Sequence, residues 1–459
     1  MSQVNWKYLQ AAAAAALFSA TGPVLAAEPA LPVAVEVTTP APAPAPVAMP
    51  TAAVNPIPPG TAIAVAAYYQ ARTNQPIWLR NPANVEAARS LVPILKRAQL
   101  DGLAAGPVFA AAVEAALAKL PAASPAAALD IDRMLSAAWV LYVQAIKAPA
   151  PGVAYGDPLL APRGLTPERI LLQVEHSTAL LPLVQSVARV NPIYAQLREA
   201  AWSQVQVPGG VADGRLVANL ARARILPQSG RYVIVDNATQ RMFMYQDGQI
   251  EDSMKVVVGK KGTPTPLVAS TIHYATFNPY WNIPTDVVRR TVAPAVIKKG
   301  VAHLKASNFE VASDWTDQAT TVPPEEIDWK AVAAGTTVIR IRQLPGKKNM
   351  MGAMKFNFPN ADGIYLHDSP LRDLFTKSQR SFSLGCIRLE DAPRFARWLL
   401  RGREPALLAD VPEQHVKLDK GVPVYVTYLT AHAEAGQVTF APDIYALDGN
   451  PDGRLAAAN

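Results

Sequence analysis

The sequence predicts an α+β protein in which a helical half precedes a mostly β half. Three observations carry this. Residues 61–225 place apolar side chains at helical spacing, with cap-and-proline pairs at helix starts. From Arg231 the apolar period changes to two. Half of the 459 residues are hydrophobic, enough to bury sizeable cores, and at roughly 150 residues per domain the chain has room for two or three.

In chain order, Lys7 precedes a short apolar run over 8–20, and Val24 and Ala26 occupy the −3 and −1 positions of a cleavage site. This predicts a secretory signal peptide over 1–26, cleaved after Ala26, and an exported protein. Residues 27–60 are Pro/Ala-rich without apolar order and predict an extended, polyproline-like linker. Residues 61–227 predict a helical scaffold domain. Its first clear helix opens at Asn84, Val85 and Glu86, carries Leu91, Ile94, Leu95 and Ala98, and stops at Asp101-Gly102. Ala-rich helices follow over 108–120 and 127–147. Thr166 before Pro167 starts a helix to about 189, and Asn191 before Pro192 another to about 205.

Residues 231–259 read as two alternating strands, a hairpin turn at Asp247-Gly248 and a third strand. The runs STIHYATFN, TTVIRIRQ and GVPVYVTYL are further strands, so 228–430 is the mostly β domain. Residues 285–336 interrupt it with a helix-like stretch and an acidic segment bearing Trp315 and Trp329, predicting an insertion over a cleft. Residues 431–459 read as a polar, weakly structured tail.

Charge and composition exclude several functions. The net charge is +7. Residues 231–430 hold 26 Lys+Arg and 20 Asp+Glu, so +6 of it lies there. This excess suits an anionic polymer or surface and is far short of a nucleic-acid stripe. One cysteine excludes an intrachain disulfide and cysteine-built zinc sites. H-E-x-x-H and G-x-S-x-G are absent, and Val258 to Thr263 lacks the spacing of a phosphate loop. No metal or organic cofactor is expected.

The chemistry concentrates between Gly363 and Leu389. Cys386 follows Ser383, Leu384 and Gly385, where glycine permits close backbone approach. Arg388 at i+2 shares its strand face, and a helix begins near Asp391. A nearby cation and a helix N-terminus both favour thiolate, so a lowered thiol pKa is expected. Of six histidines, His367 ends a predicted strand close in sequence, giving the thiol–imidazole arrangement of acyl transfer. The bland alternative is a buried cysteine acting as a small hydrophobe.

The stretch from His367 to the block Ser383, Leu384, Gly385, Cys386, Ile387 and Arg388 resembles the signature of the L,D-transpeptidases with a YkuD-type catalytic domain. The blocks Asn278 to Pro284, Ile341 to Gly346, Lys355 to Asn360 and Ile364 to Asp368 are similar to the periplasmic YcbB-like branch. The likeness covers roughly 228–430, and 61–205 more weakly resembles that branch's scaffold domain. It implies that Cys386 attacks the carbonyl of the third residue of a peptidoglycan stem peptide and expels D-Ala. The thioacyl enzyme is then taken by a side-chain amine of another stem, giving a 3→3 cross-link. His367 is implied as base and acid, the backbone at Gly385 and Cys386 as oxyanion donor, and Ser383 and Arg388 as supports. Tyr365, Trp281 and Asp368 are implied at the substrate cleft, the insertion as a substrate cap, and carbapenems as acylating agents. The same nucleophile used with water would make an L,D-carboxypeptidase or hydrolase, and a non-catalytic wall-binding scaffold is a third reading. Two departures stand out. Leu384 replaces a histidine common in the family, and 206–227 is too short for the small peptidoglycan-binding module frequent in that branch.

Overall fold

A computed structural model of the chain describes residues 57–449, apart from 208–209, 317–318, 409–410 and 435–436. The expected signal peptide, most of the linker and the last ten residues lie outside the described residues. Among the described residues no helix is long and apolar enough to cross a membrane.

Among the described residues eight α-helices form the first half. They are α1 (Pro59–Ala71), α2 (Pro82–Lys96), α3 (Gly106–Lys119), α4 (Pro125–Ile146), α5 (Pro167–Glu175), α6 (Leu180–Arg189), α7 (Pro192–Val205) and α8 (Gly214–Ala223). The cap-and-proline device recurs four times. Asn81, Ser124, Thr166 and Asn191 each accept a backbone N–H three residues on, and proline follows each cap. Proline at that position loses no hydrogen bond and arrives with helical φ. The single helix expected from 167 to 189 is two. After His176, the Ser177 hydroxyl accepts the Ala179 N–H, a local bond that competes with the helix.

A short strand, β1 (Val153–Tyr155), leaves the helical half and pairs in parallel with β5 (Leu267–Phe277). Between them come β2 (Arg231–Asp236), β3 (Arg241–Gln246) and β4 (Gln249–Gly259). Asp247 and Gly248 both have positive φ, 51° and 81°, as a two-residue hairpin turn requires. The insertion runs wider than expected, from β6 (Trp281–Asn282) through β7 (Phe309–Ala312) and β8 (Thr321–Val322) to β9 (Arg340–Gln343). It is a four-stranded sheet in the order β6-β9-β7-β8, with helices between. Its own core includes Val288, Val296, Trp329 and Ile341. The strand read in TTVIRIRQ therefore belongs to this subdomain.

The main sheet continues with β10 (Met354–Asn357), β11 (Leu366–His367), β12 (Ser381–Ser383), β13 (Ile387–Leu389) and β14 (Gln414–Thr427). The order β5-β10-β11-β13-β4-β3-β2-β14 closes because β14 also pairs with β5. Val233 and Val235 point into this barrel. Tyr232 and Ile234, one residue out of phase, pack against the helical half. Both faces of β2 are covered, so the alternation expected from Arg231 fails in this strand, where Tyr232 to Val235 are all apolar and buried.

The described part of the tail is ordered, contrary to expectation. β15 (Ala431–Glu434) and β16 (Gln437–Phe440) form a hairpin held to α8. Asn219 bonds the Thr430 hydroxyl and the Ala431 N–H, and the Arg215 guanidinium lies 3.8 Å from the Phe440 ring centroid. These partners lie some 200 residues earlier, so local pattern does not show them.

Candidate active site

β11 and β13 run parallel, with Leu366 beside Ile387 and His367 beside Arg388. Leu366 and Ile387 are fully buried in the barrel core. The period of two turns Tyr365, His367, Cys386 and Arg388 to the opposite face. β10 extends that row, placing Lys355 opposite both His367 and Thr276. Phe356, one residue on, enters the core. One sheet face thus carries the expected nucleophile, imidazole and guanidinium together.

The turn before Cys386 is held by backbone and hydroxyl groups. The Ser383 hydroxyl donates to the Cys386 carbonyl at 2.6 Å and accepts the Gly385 N–H at 3.1 Å. Gly385 has φ +122°, which a side chain would strain. Ser383 thus shapes the turn. One expectation is corrected here: the Gly385 N–H is already bonded, which leaves it unavailable to an oxyanion. No partner for the Cys386 N–H is found among the described residues. The strand-end loop 259–265 cradles the turn, with the Lys260 N–H and the Thr263 hydroxyl both donating to the Ser383 carbonyl. Leu384 is exposed and cannot relay a proton.

Cys386 is half-buried at the edge of the barrel core. The expected lowered pKa is overturned: desolvation pushes the thiol up, outweighing hydrogen bonds to Tyr365 and the Arg388 charge. The sequence displayed the cation and not the burial. The Arg388 guanidinium makes no ion pair among the described residues, and its buried Nε has no hydrogen-bond partner. Burial lowers the Arg388 pKa as well, and the neighbouring Cys386 opposes that shift.

His367 is 2% exposed. Its Nδ1–H donates to the Asp368 carbonyl at 2.5 Å, which leaves the Nε2 lone pair for proton transfer. Among the described residues the ring makes that one hydrogen bond and none to the thiol. The Asp368 and Met351 backbone favours the charged ring, yet burial and then Arg388 win and hold its pKa to about 3. The ring is neutral at pH 7. Asp368 is also reassigned: its carboxylate is buried, accepts the Ala353 N–H and pairs with Arg372 at 2.7 Å. It anchors the segment that orients His367 and does not face the cleft.

The His367 shift fixes a pH dependence. The folded pKa of about 3 lies below the unfolded value of about 6.5. Between them the unfolded chain binds a proton that the folded chain refuses, so stability falls as pH drops through that window. His367→Gln is expected to remove up to about 1.4 kcal/mol per pH unit of the slope between pH 6.5 and 3. Urea unfolding of both proteins at pH 7 and 5 checks this. Parallel losses in the two proteins contradict it.

A cleft of ≈ 510 Å³ lies on the same sheet face, between the barrel and the 281–343 subdomain. Tyr280, Trp315 and Arg342 line it from the subdomain, and Lys355, Asn357 and Glu413 from the barrel. Lys355 pairs with Glu413 at 3.0 Å. Trp281, expected at the cleft, instead packs against the subdomain core, and its neighbour Tyr280 takes the wall. A two-residue strand is too short for the phase to be read. His415 also lines the cleft and bonds the Thr276 hydroxyl at 2.9 Å. The polar alternation of Lys355 and Asn357 was the available signal for this wall.

Comparison with known proteins follows the same division. Residues 230–426 match the L,D-transpeptidase catalytic domain, YkuD, and 63–200 match a Scaffold domain. A Haemophilus influenzae protein named "Putative L,D-transpeptidase" is 29% identical over 290 residues, 61% of this chain and 58% of that protein. The chain thus spans less than two thirds of that relative's length. A solved structure of the Ldtfm-avibactam carbamoyl enzyme aligns with TM-score 0.21 and 16% identity over 44% of this chain and 50% of that one. An L,D-transpeptidase from Mycobacterium smegmatis aligns with TM-score 0.22 and 14% identity over 43% and 59%.

Proposed function

We propose that this chain, which carries a YkuD L,D-transpeptidase catalytic domain behind a scaffold domain, makes 3→3 cross-links in peptidoglycan through a thioacyl enzyme on Cys386. The observation that carries the reading is the row of Tyr365, His367, Cys386 and Arg388 on one sheet face; the four do not line the cleft themselves, but Lys355, which stands beside His367, does, among charges of both signs. A stem peptide with free amines and carboxylates has matching chemistry.

The resting pair is a neutral thiol and a neutral imidazole, so charge develops as the substrate reacts. The thiol proton passes to His367 Nε2 while sulfur bonds to the carbonyl carbon of the third stem residue. The Cys386 N–H donates to the developing oxyanion, a role worth a few kcal/mol. Collapse breaks the bond to D-Ala, whose nitrogen takes the proton from His367. A side-chain amine of a second stem then attacks the thioester, gives its proton through His367 to the departing sulfur, and leaves as the cross-linked dimer. The unpaired Arg388 charge favours sulfur when it is anionic. The 281–343 subdomain caps the substrate. The signal-like residues 1–26 support a location outside the cytoplasm, in the periplasm.

Incubation with purified tetrapeptide stems, read by mass spectrometry, tests this. The expected product is a dimer that has lost one D-Ala. Tripeptide monomer alone would assign the thioester to water and make the protein a carboxypeptidase. Intact-protein mass after exposure to a carbapenem should show one adduct per chain, and its absence would favour a non-catalytic scaffold.

A further inference from the structure

The C-terminal segment beyond the matched catalytic domain reaches back to the turn that carries Cys386. The Tyr445 hydroxyl donates to the Gly259 carbonyl at 2.6 Å and accepts the Thr265 N–H at 3.4 Å. The Thr265 hydroxyl accepts the Gly259 N–H at 2.9 Å and donates to the Gly385 carbonyl at 2.7 Å. Both side chains are buried. Two interlocked hydroxyls therefore join residue 445 to the peptide plane just before the nucleophile.

That plane matters because a peptide unit is rigid. The Gly385 carbonyl and the Cys386 N–H belong to the same trans unit and point in opposite directions. Fixing the carbonyl on Thr265 aims the N–H away from Thr265, and that N–H has no partner among the described residues. Gly385 itself resists rotation poorly, since glycine is the most permissive residue. An added Cβ on Gly259 would lie 2.1 Å from the Thr263 carbonyl oxygen, so the loop has little slack to compensate.

Tyr445 is itself anchored. Its ring stacks on Tyr428 with centroids 5.4 Å apart, and its N–H donates to the Tyr428 hydroxyl at 2.9 Å. Arg222 on α8 donates to the Tyr428 and Leu447 carbonyls and pairs with Asp448 at 3.0 Å, all buried. Residues 214–223 and 428–448 lie outside both matched domains, yet they hold this hydroxyl in place.

We propose that Tyr445, acting through Thr265 and Gly385, is a positioning residue that aims the Cys386 N–H at the oxyanion. The proposal rests on the reading of Cys386 as the acyl-accepting nucleophile. Its test compares two reactions of one sulfur. Acylation by a carbapenem passes through an oxyanion, whereas alkylation by iodoacetamide does not. Tyr445→Phe and Thr265→Val are expected to slow acylation about 10-fold, short of the roughly 10²–10³-fold loss on deleting an oxyanion donor, with alkylation near the wild-type rate. Thr265→Ser, which keeps the hydroxyl, should acylate at nearly the wild-type rate. Undiminished acylation of Tyr445→Phe would overturn the proposal, as would equal slowing of both reactions, the mark of a merely structural loss. A wild-type protein that alkylates and never acylates would overturn the transpeptidase reading instead.

Discussion

Replacing Cys386 with Ala is expected to abolish carbapenem adducts and dimer formation, a loss of at least about 10⁴-fold, comparable to removing other covalent nucleophiles. The protein should remain folded. The residue is half-buried at the edge of the core, and exchanging a thiol for a hydrogen removes little packing. Cys386→Ser is the sharper variant. Serine keeps a nucleophilic atom but holds its proton far more tightly than a thiol. An imidazole held to about 3 is too weak a base to remove it, so serine should restore less than about 1% of the activity. For sulfur, Arg388 and Tyr365 offset part of the desolvation that disfavours thiolate, and a thiol needs the least help from the base. Dimer formation by Cys386→Ala, measured by mass spectrometry on purified stems, would end the mechanism proposed above.

The site was legible where its chemistry sits within a few residues. Cys386 and Arg388 share a strand face by their i, i+2 spacing, and that is where the parallel pairing of β11 and β13 puts them, with His367 alongside. The helix starts at Thr166 and Asn191 were legible for the same reason, since a cap and its proline are adjacent. Other properties depend on partners far along the chain. The Asp368 side chain looks like a cleft carboxylate until its bonds to Ala353 and Arg372 are seen. Thr265 and Tyr445 are 180 residues apart, and neither carries a motif. The thiol pKa failed for a different reason. Its sign depends on how much water reaches sulfur, and a neighbouring arginine says nothing about that. The ordered tail was missed because its apolar surface is completed by α8 and the barrel, not by its own alternation.

The largest stability effect is expected far from the sulfur, at Asp132 on α4. The loop between α1 and α2 buries Ile77 and Trp78 completely, although it has no helix or strand to satisfy its backbone. One carboxylate does so, accepting the N–H groups of Ile77, Trp78 and Leu79 at 2.7, 3.0 and 2.7 Å. The Tyr69 hydroxyl of α1 also donates to it, and Ser136, one turn along α4, receives the Trp78 indole N–H at 3.0 Å. Asp132→Ala strands three N–H groups, while the Tyr69 phenol keeps the residue 132 carbonyl and the Ser136 hydroxyl. Each unsatisfied donor costs about 1–3 kcal/mol, so a loss of roughly 3–5 kcal/mol is expected even if water reaches one or two of them. Against the usual total of about 5–15 kcal/mol, that threatens the helical half as a unit. At about 2–4 °C per kcal/mol for a domain of this size, the melting temperature should fall by roughly 6–20 °C. Asp132→Asn, which has one acceptor oxygen where the carboxylate has two, should fall in between. Far-UV circular dichroism melts check both variants. A shift of less than about 2 °C for Asp132→Ala would mean that the loop finds other acceptors, and that the carboxylate does not hold Ile77 and Trp78 in the scaffold core.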